Sequence, residues 1–184
     1  MCQLVTQVPP SSTENACSQW AESAVVPDQM KRTRTVAEEV IGPRLPAGHK
    51  ELFILFGEGE FSGCLDLYPP VESDTASIAS WLRSMRSAAE TIPYAREGYA
   101  PHGVFTPGGT GLLPWGGSVQ ADEFCWLVDG GDPDTWPVVT RSHSEGWRTY
   151  PMTMSEFVYR VLDDVGFEDF TVADTVDPPY FEAL

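Results

Sequence analysis

The stretch GLLPWGGSVQADEFCWLVDGGDPDTWPVVTRS, residues 111–142, holds three short apolar segments at 111–116, 122–129 and 136–142. Glycine, serine, aspartate and proline are concentrated between these segments. Short apolar runs separated by such turn-forming residues are typical of antiparallel strands joined by tight connections. The sequence therefore predicts an antiparallel meander of three strands in this part of the chain.

The middle segment is expected at the centre of a sheet. In FCWLV, residues 124–128, one alternating set is Phe124, Trp126 and Val128, and the other set, Cys125 and Leu127, is equally apolar. Successive side chains of a strand point to opposite faces, so this strand should be covered on both faces.

Two helices are predicted before the meander. Residues 46–57 suit a helix that opens at a proline and ends at a glycine, with His49 on its polar side. The next helix is expected to follow Asp74 as its N-cap, because apolar residues within 78–85 recur at helical spacing. The segment GCLDLYPP, residues 63–70, reads as a strand between the two helices.

The remaining elements are expected as follows. Residues 91–111 contain three prolines and five glycines, which predicts a loop or a short edge strand. A last helix should begin with the capping-box pair Thr153 and Glu156 and stop at Gly166. The acidic tail after Gly166 is expected to lie over the sheet as a final strand or strap.

The chain has the length and apolar content of one domain, with 184 residues of which 42% are hydrophobic. Residues 1–33 show no sustained period and include the turn-rich VPPSSTEN, which predicts a flexible N-terminal arm. Thr35 and Glu38 have capping-box spacing and indicate a short helix before Pro43. We therefore expect a single domain over residues 34–184 that carries an acidic C-terminal tail.

The strongly negative net charge limits the kinds of molecule that the protein is expected to bind. The formal net charge is −16, and residues 101–184 contribute 14 acids against 3 bases. A field of this sign repels phosphate backbones and anionic membrane surfaces, and it attracts basic proteins. Acidity also keeps a protein soluble, so the charge alone does not establish a binding role.

The cysteines favour a reducing compartment. Cys2, Cys17, Cys64 and Cys125 form no CxxC pair and have no histidine at zinc-ligand spacing, so they are expected to be free thiols. The N-terminus lacks the basic and apolar regions of a secretory signal, and the longest strongly apolar run is LFILF. A cytoplasmic protein is expected.

The acidic connection DGGDPD, residues 129–134, has two competing explanations. Asp129, Asp132 and Asp134 occupy relative positions 1, 4 and 6, whereas a helix-loop-helix calcium site needs ligands at 1, 3 and 5 and a glutamate at 12. Position 12 is Thr140. The residues favour a hairpin whose tip displays carboxylates. Neither a metal nor a cofactor is expected.

Catalysis remains an alternative on sequence grounds. His102 or His143 beside Cys64 or Cys125 would allow a cysteine hydrolase, and the acids at 129–134 would allow a metal-dependent one. Cysteines within apolar strands are more often inert core residues.

Four of the six tryptophans fall within 33 residues of sequence, at Trp115, Trp126, Trp136 and Trp147. Most of them should pack in the core, because an indole buries a large area and has only one donor to satisfy. Trp136 and Trp147 are the candidates for a position at the rim of a surface, where they would anchor a partner.

The order of segments over residues 40–165 resembles the SUKH superfamily, the group that contains the yeast Knr-type cell-wall assembly regulator and many bacterial immunity proteins. The resemblance is most specific in LLPWG, residues 112–116, and in the spacing of the acids, tryptophans and prolines that follow: Asp122, Trp126, Asp132, Pro133, Trp136 and Pro137. It assigns structural roles to Pro114, Trp115, Gly116, Trp126, Pro133 and Pro137. The chain departs from the family at Ala121, where a glycine is frequent, and at His49, where an aromatic residue is frequent.

The resemblance implies an α+β fold, with a mostly antiparallel sheet flanked by helices, and no catalytic activity. It implies an immunity-type protein that binds and neutralises a basic toxin encoded nearby, with a nuclease as the expected kind of toxin. The residues expected to face the toxin are Asp122, Glu123, Asp129, Asp132, Asp134 and Glu145, with Trp136 or Trp147 as an apolar anchor. The alternative from the eukaryotic branch of the family is a cytoplasmic regulatory or scaffolding module without a toxin partner.

Overall fold

A computed structural model describes residues 6–7, 41–42, 44–70, 77–142, 146–164, 166–167 and 179–183. The helices of these ranges are α1 (Ala47–Phe56), α2 (Ile78–Thr91), α3 (Pro93–Tyr99) and α4 (Met154–Asp163). The first four strands are β1 (Thr6–Gln7), β2 (Gly59–Phe61), β3 (Leu65–Leu67) and β4 (Gly111–Ser118). The last four are β5 (Glu123–Val128), β6 (Val138–Ser142), β7 (Gly146–Tyr150) and β8 (Tyr180–Ala183).

The described strands form one antiparallel sheet in the order β1-β8-β2-β3-β4-β5-β6-β7. The predicted α+β class is confirmed, and so is the meander, because β4, β5 and β6 pair in sequence order. The acidic tail also supplies a strand, β8, which lies between β1 and β2. Thr6–Gln7 of the predicted arm form β1, and the rest of the arm lies outside the described residues.

Helices cover both faces of the sheet around β5. On one face, Phe157 of α4 packs against Trp115 and Phe124, with ring centroids 6.1 and 5.9 Å away. On the other face, Met85 of α2 and Tyr99 of α3 form a buried cluster with Cys125 and other sheet residues. The two-sided burial expected of β5 is therefore confirmed. Trp115 and Trp126 are fully buried, and a side chain of that size contributes several kcal/mol, roughly 3–5 kcal/mol on truncation to alanine.

Helix α1 begins and ends where the sequence predicts, but its histidine is not on a polar side. His49 is fully buried, its ring lies 5.4 Å from that of Trp126, and its Nε2–H donates to the carbonyl of Tyr68 at 3.1 Å. Burial lowers the pKa of His49 to about 4, so the ring is neutral at neutral pH. The prediction of a polar face at His49 was wrong, because a single hydrogen bond lets a neutral imidazole act as a core residue.

The region predicted as a loop or edge strand contains α3. Pro93 occupies the first turn of this helix, where its missing N–H costs nothing. The proline content of residues 91–111 led to the prediction of a loop or a short edge strand. That prediction is corrected, because a helix forms at Pro93–Tyr99.

The start of α2 also differs from the prediction. Ser77 is the N-cap: its Oγ accepts from the Ser80 amide at 3.1 Å, and the Ser80 Oγ accepts from the Ser77 amide at 2.8 Å. Asp74 lies outside the described residues, as do Thr35 and Glu38. In α4, Thr153 Oγ1 caps the Glu156 amide as predicted, while the Glu156 carboxylate pairs with Arg160.

The residues of LLPWG and of the connection after β5 have defined places in the sheet, and at Gly116 only a glycine fits. The pairing of β4 with β5 shifts register between Pro114 and Gly116. At Gly116 a Cβ would lie 2.5 Å from the carbonyl oxygen of Asp66 on β3, so the two strands require a glycine there. Pro133 opens a 3-10 turn at Pro133–Thr135, and the carbonyl of Pro137 accepts from the Leu127 amide at 3.0 Å.

Candidate functional site

A cleft of about 600 Å³ opens between helices α2 and α3 and one face of the sheet. Its walls are the α2–α3 junction and the turn that joins β4 to β5, and its floor contains Asp66 of β3 and Pro114 and Gly116 of β4. Most ligand and anchor sites in proteins are concave and of this size. We refer to this cavity as the cleft.

Apolar exposure is concentrated at the rim of the cleft. Within the described ranges, the large hydrophobic side chains that remain exposed are Trp81 (39%), Ile92 (41%), Tyr94 (78%) and Val119 (65%). All four line the cleft, although they come from α2, the α2–α3 junction, α3 and the β4–β5 turn. Single exposed apolar residues are ordinary, but a contiguous group around a cavity is typical of an interaction site.

The strand register places a row of polar residues across the face beneath the cleft. Asp66 pairs with Gly117, Gly117 with Glu123, Glu123 with Arg141, and Arg141 with Trp147. Paired residues of antiparallel strands share a face, so these five positions form one line over β3, β4, β5, β6 and β7. Gly117 has no side chain of its own, and the Tyr68 hydroxyl fills the position between Asp66 and Glu123 that a Cβ there would occupy.

One end of this row is an ordered network. Glu123 Oε1 accepts from Arg141 Nη2 at 2.7 Å and from the Tyr99 hydroxyl at 3.1 Å. The Arg141 guanidinium lies 4.7 Å from the ring centroid of Tyr99 and 5.0 Å from that of Trp147. The Trp147 indole N–H donates to the Gly98 carbonyl at 2.7 Å. The network fixes one oxygen of Glu123, whereas Glu123 Oε2 is buried and has no hydrogen-bond partner among the described residues.

The other end of the row contains an unusual aspartate. Burial raises the pKa of Asp66, and the charge of Glu60 on the neighbouring strand raises it further. Neither a hydrogen bond nor an ion pair reaches the Asp66 carboxylate from the described part of the protein. The Tyr68 hydroxyl lies over Gly117, so a Cβ at Gly117 would clash with it. Burial also raises the pKa of Tyr68, which stays protonated at neutral pH.

The acidic connection after β5 contacts Arg44 and the first turn of α1. Arg44 Nη2 donates to Asp132 Oδ1 at 2.7 Å and to Asp134 Oδ2 at 2.9 Å. Asp134 Oδ1 also accepts from the Ala47 amide at 2.6 Å, which is an orphan donor in the first turn of α1. Pro46, the N-cap residue of α1, supplies no side-chain cap, so the aspartate of a distant loop caps the helix.

Replacement of Asp134 by alanine is expected to lower the free energy of unfolding by about 1 kcal/mol, the usual cost of losing a helix cap. The Ala47 amide and the Arg44 guanidinium lower the pKa of Asp134. The stabilising contribution of the charge is therefore present above the ordinary aspartate pKa and disappears as the pH falls through the lowered value in the folded state. Urea denaturation at neutral pH measures the loss.

Asp134→Asn is the matched control, because its amide oxygen still accepts from Ala47 while the charge is gone. We expect the asparagine variant to lose less than half as much free energy of unfolding as the alanine variant loses. Equal losses in the alanine and asparagine variants would contradict the capping role and assign the effect to the Arg44 ion pair.

The other residues predicted to face a partner lie apart. Asp122 is buried and accepts from the Ser118 hydroxyl at 2.6 Å, closing the turn at which Ala121 adopts a φ of 64°. Asp129 is exposed at the hairpin, where its Oδ1 accepts from the Gly131 amide at 2.8 Å. Trp136 is 3% exposed, so the rim anchor expected there is corrected to a core residue.

Three further predictions on these residues have different outcomes. Glu123 lines the cleft, as does Asp122. Trp147 is half-buried and stacks in the network beside Arg141, outside the cleft lining. Glu145 lies outside the described residues.

The candidate nucleophiles have unreactive surroundings. Cys125 is fully buried, and burial raises the pKa of its thiol well above the ordinary value, which disfavours the thiolate. The Cys64 thiol donates to the Phe61 carbonyl at 3.3 Å. His102 packs edge-on against Trp147, and His143 lies outside the described residues. In the described ranges, no three histidine, cysteine or acidic side chains are placed to hold a metal ion together.

The residues that sequence reasoning missed are Asp66, Trp81 and Tyr94. Trp81 was assigned to the apolar stripe of α2, Tyr94 to a loop and Asp66 to a short strand without a role. Alternation in LDL at Leu65–Leu67, with an acid between two leucines, places Asp66 on the face opposite the leucines and was the available signal.

Comparisons with protein-family models, curated proteins and solved structures find no match for the chain. Within the described residues, every helix is too short or too polar to cross a lipid bilayer.

Proposed function

We propose that this protein captures a basic partner protein in the cleft. One observation carries the proposal: the exposed large apolar side chains of the described residues gather around a single cavity that also contains carboxylates. Aromatic residues around a desolvated pocket are the usual anchors of protein interfaces. A net charge of −16 favours a basic partner and accelerates its encounter.

We further propose that the partner is a toxin domain encoded nearby and that the complex neutralises it in the cytoplasm. The resemblance to the SUKH superfamily supports this role. The cleft is the proposed contact surface. The hairpin tip is not, because Asp132 and Asp134 already form ion pairs with Arg44.

The test is binding of the purified protein to the product of the adjacent gene. We expect a complex with a Kd of about 1 µM or tighter, and an association rate at least tenfold slower in ~500 mM salt than in ~50 mM salt. Surface plasmon resonance measures both, and a neutral protein of similar size serves as the control. Loss of the toxin's activity on addition of an equimolar amount would establish neutralisation.

Failure to form a complex at micromolar concentrations would contradict the toxin-partner proposal. Capture of an adjacent gene product that has no toxic activity would instead favour the regulatory or scaffolding alternative.

A further inference from the structure

We infer that α1 is released by acid: addition of a proton to His49 detaches the helix from the sheet while the strands beneath it stay paired. The imidazole lies against Trp126, on the side of the sheet that α4 covers, whereas the cleft lies on the other side. The inference is independent of the proposed function, because it requires no partner.

Helix α1 is attached to the sheet mainly by one imidazole. Of the ten residues of α1, only His49 is buried, and Leu52, Phe53 and Phe56 are partly buried. By contrast, α2 and α4 each bury four residues. Elements with few buried contacts open at a lower free energy than the whole fold. The docking of α1 therefore depends on the state of a single side chain.

The hydrogen bonds of His49 leave no place for a second ring proton. Nε2–H donates to the Tyr68 carbonyl at 3.1 Å, so the neutral ring carries its proton on Nε2. Nδ1 is buried and has no hydrogen-bond partner among the described residues. A proton on Nδ1 would create a buried cation whose N–H finds no acceptor, and such a group is strongly disfavoured unless it moves to water. Movement of the ring to water requires α1 to leave the sheet.

The groups around His49 do not compensate a positive charge. Phe53 on α1 and Trp126 on β5 contact the ring and are uncharged. Tyr68 offers a carbonyl that is already bound. Lys50, the next residue of α1, repels a second cation and lowers the pKa of His49.

The acids on the neighbouring elements are bound to other groups. Asp134, on the connection that contacts the start of α1, binds Arg44 and the Ala47 amide. On α4, which also packs against α1, Glu156 pairs with Arg160. Neither acid acts on the pKa of His49, so no described carboxylate stabilises an imidazolium at this position.

The pH range of the release follows from two pKa values. Burial lowers the pKa of His49 from the ordinary 6.5 to about 4 while α1 is docked, and the exposed ring of the released helix returns to the ordinary value. Because the docked value is the lower one, the stability of the docked helix is complete above the released-state pKa and is lost as the pH falls towards the docked one. Between pH ~7 and pH ~5 the equilibrium constant for release should rise about 20-fold. The Asp134 cap is retained in this range, because the pKa of Asp134 lies below the ordinary aspartate value.

The test is native-state hydrogen exchange of the full-length, ¹⁵N-labelled protein at pH ~7 and pH ~5, with each rate divided by that of an unstructured peptide at the same pH. We expect the protection of the α1 amides of Phe53 and Phe56 to fall about 20-fold at the lower pH. At both pH values it should be at least about tenfold lower than the protection of the β5 amides, because α1 opens without unfolding of the sheet.

His49→Gln removes the titrating group and keeps a side-chain N–H for the Tyr68 carbonyl. In this variant the protection of the α1 amides should change by less than about threefold between the two pH values. His102→Gln is the matched control, because His102 packs against Trp147 on the α2–α3 side of the sheet, and it should keep the change seen in the wild-type protein. A further measurement needs no variant: ¹H–¹³C spectra of the His49 ring in the wild-type protein should give a pKa of about 4.

Equal protection of the α1 and β5 amides would overturn the inference, because α1 would then leave the sheet only when the whole fold unfolds. A loss of α1 protection that persists in His49→Gln would assign the pH effect to another group and would overturn it as well. A His49 pKa of 6.5 in the folded protein would have the same consequence, since the docked ring would then accept a proton. A loss that is absent in His49→Gln and retained in His102→Gln would support the acid release of α1.

Discussion

Trp81→Ala is expected to weaken the partner complex by about 30-fold, or about 2 kcal/mol, the effect of removing an interfacial hot spot. The indole is 39% exposed at the rim of the cleft and faces Tyr68, so a partner that fills the cleft would bury the remaining surface. Tryptophan is among the residues most enriched at such positions. Titration calorimetry of the variant against the partner measures the change.

The fold should survive this substitution, because Trp81 lies on the exposed edge of α2 while Leu82 and Met85 carry its buried face. We expect a loss of stability of about 1 kcal/mol. Ser84→Ala, an exposed position on the same helix, is the control and should bind normally. Tyr94→Ala, at a residue that is 78% exposed, should weaken binding with almost no loss of stability. If Trp81→Ala and Tyr94→Ala both bind the partner with unchanged affinity, the cleft is not the binding surface.

Local patterns predicted the central fold well for a physical reason. In FCWLV the alternation of apolar side chains on both faces specifies a covered strand, and the glycine and proline that bound α1 act within one turn of the helix. The helix α3 was missed because proline is compatible with a first turn, which composition does not distinguish from a loop.

The cleft was not predictable in the same way. Its apolar rim comes from α2, the α2–α3 junction, α3 and the turn between β4 and β5, and helical spacing does not tell the centre of an apolar stripe from its exposed edge at Trp81. The row from Asp66 to Arg141 depends on the register of four strands, which includes a shift between Pro114 and Gly116. The structural role of Asp132 and Asp134 depends on Arg44, which lies 88 and 90 residues away in sequence.

Gly116→Ala is expected to lower the free energy of unfolding by about 3 kcal/mol. A Cβ at this position would lie 2.5 Å from the Asp66 carbonyl oxygen, and that oxygen belongs to the backbone of the paired strand β3. The clash cannot be relieved by rotating a side chain, so β3 and β4 must move apart. Urea denaturation of the variant measures the cost.

Gly108→Ala is the control that measures the cost of replacing a glycine where no atom contacts the added methyl group. Gly108 has a φ of 77° and no atom within 4 Å of the Cβ position, so its variant should lose only about 1–2 kcal/mol, from backbone conformation. Gly116 is not among the glycines with positive φ, so its larger loss would come from the contact alone. Equal losses of stability in the two variants would show that β3 adapts to the methyl group and that the contact with the Asp66 carbonyl oxygen does not require a glycine at position 116.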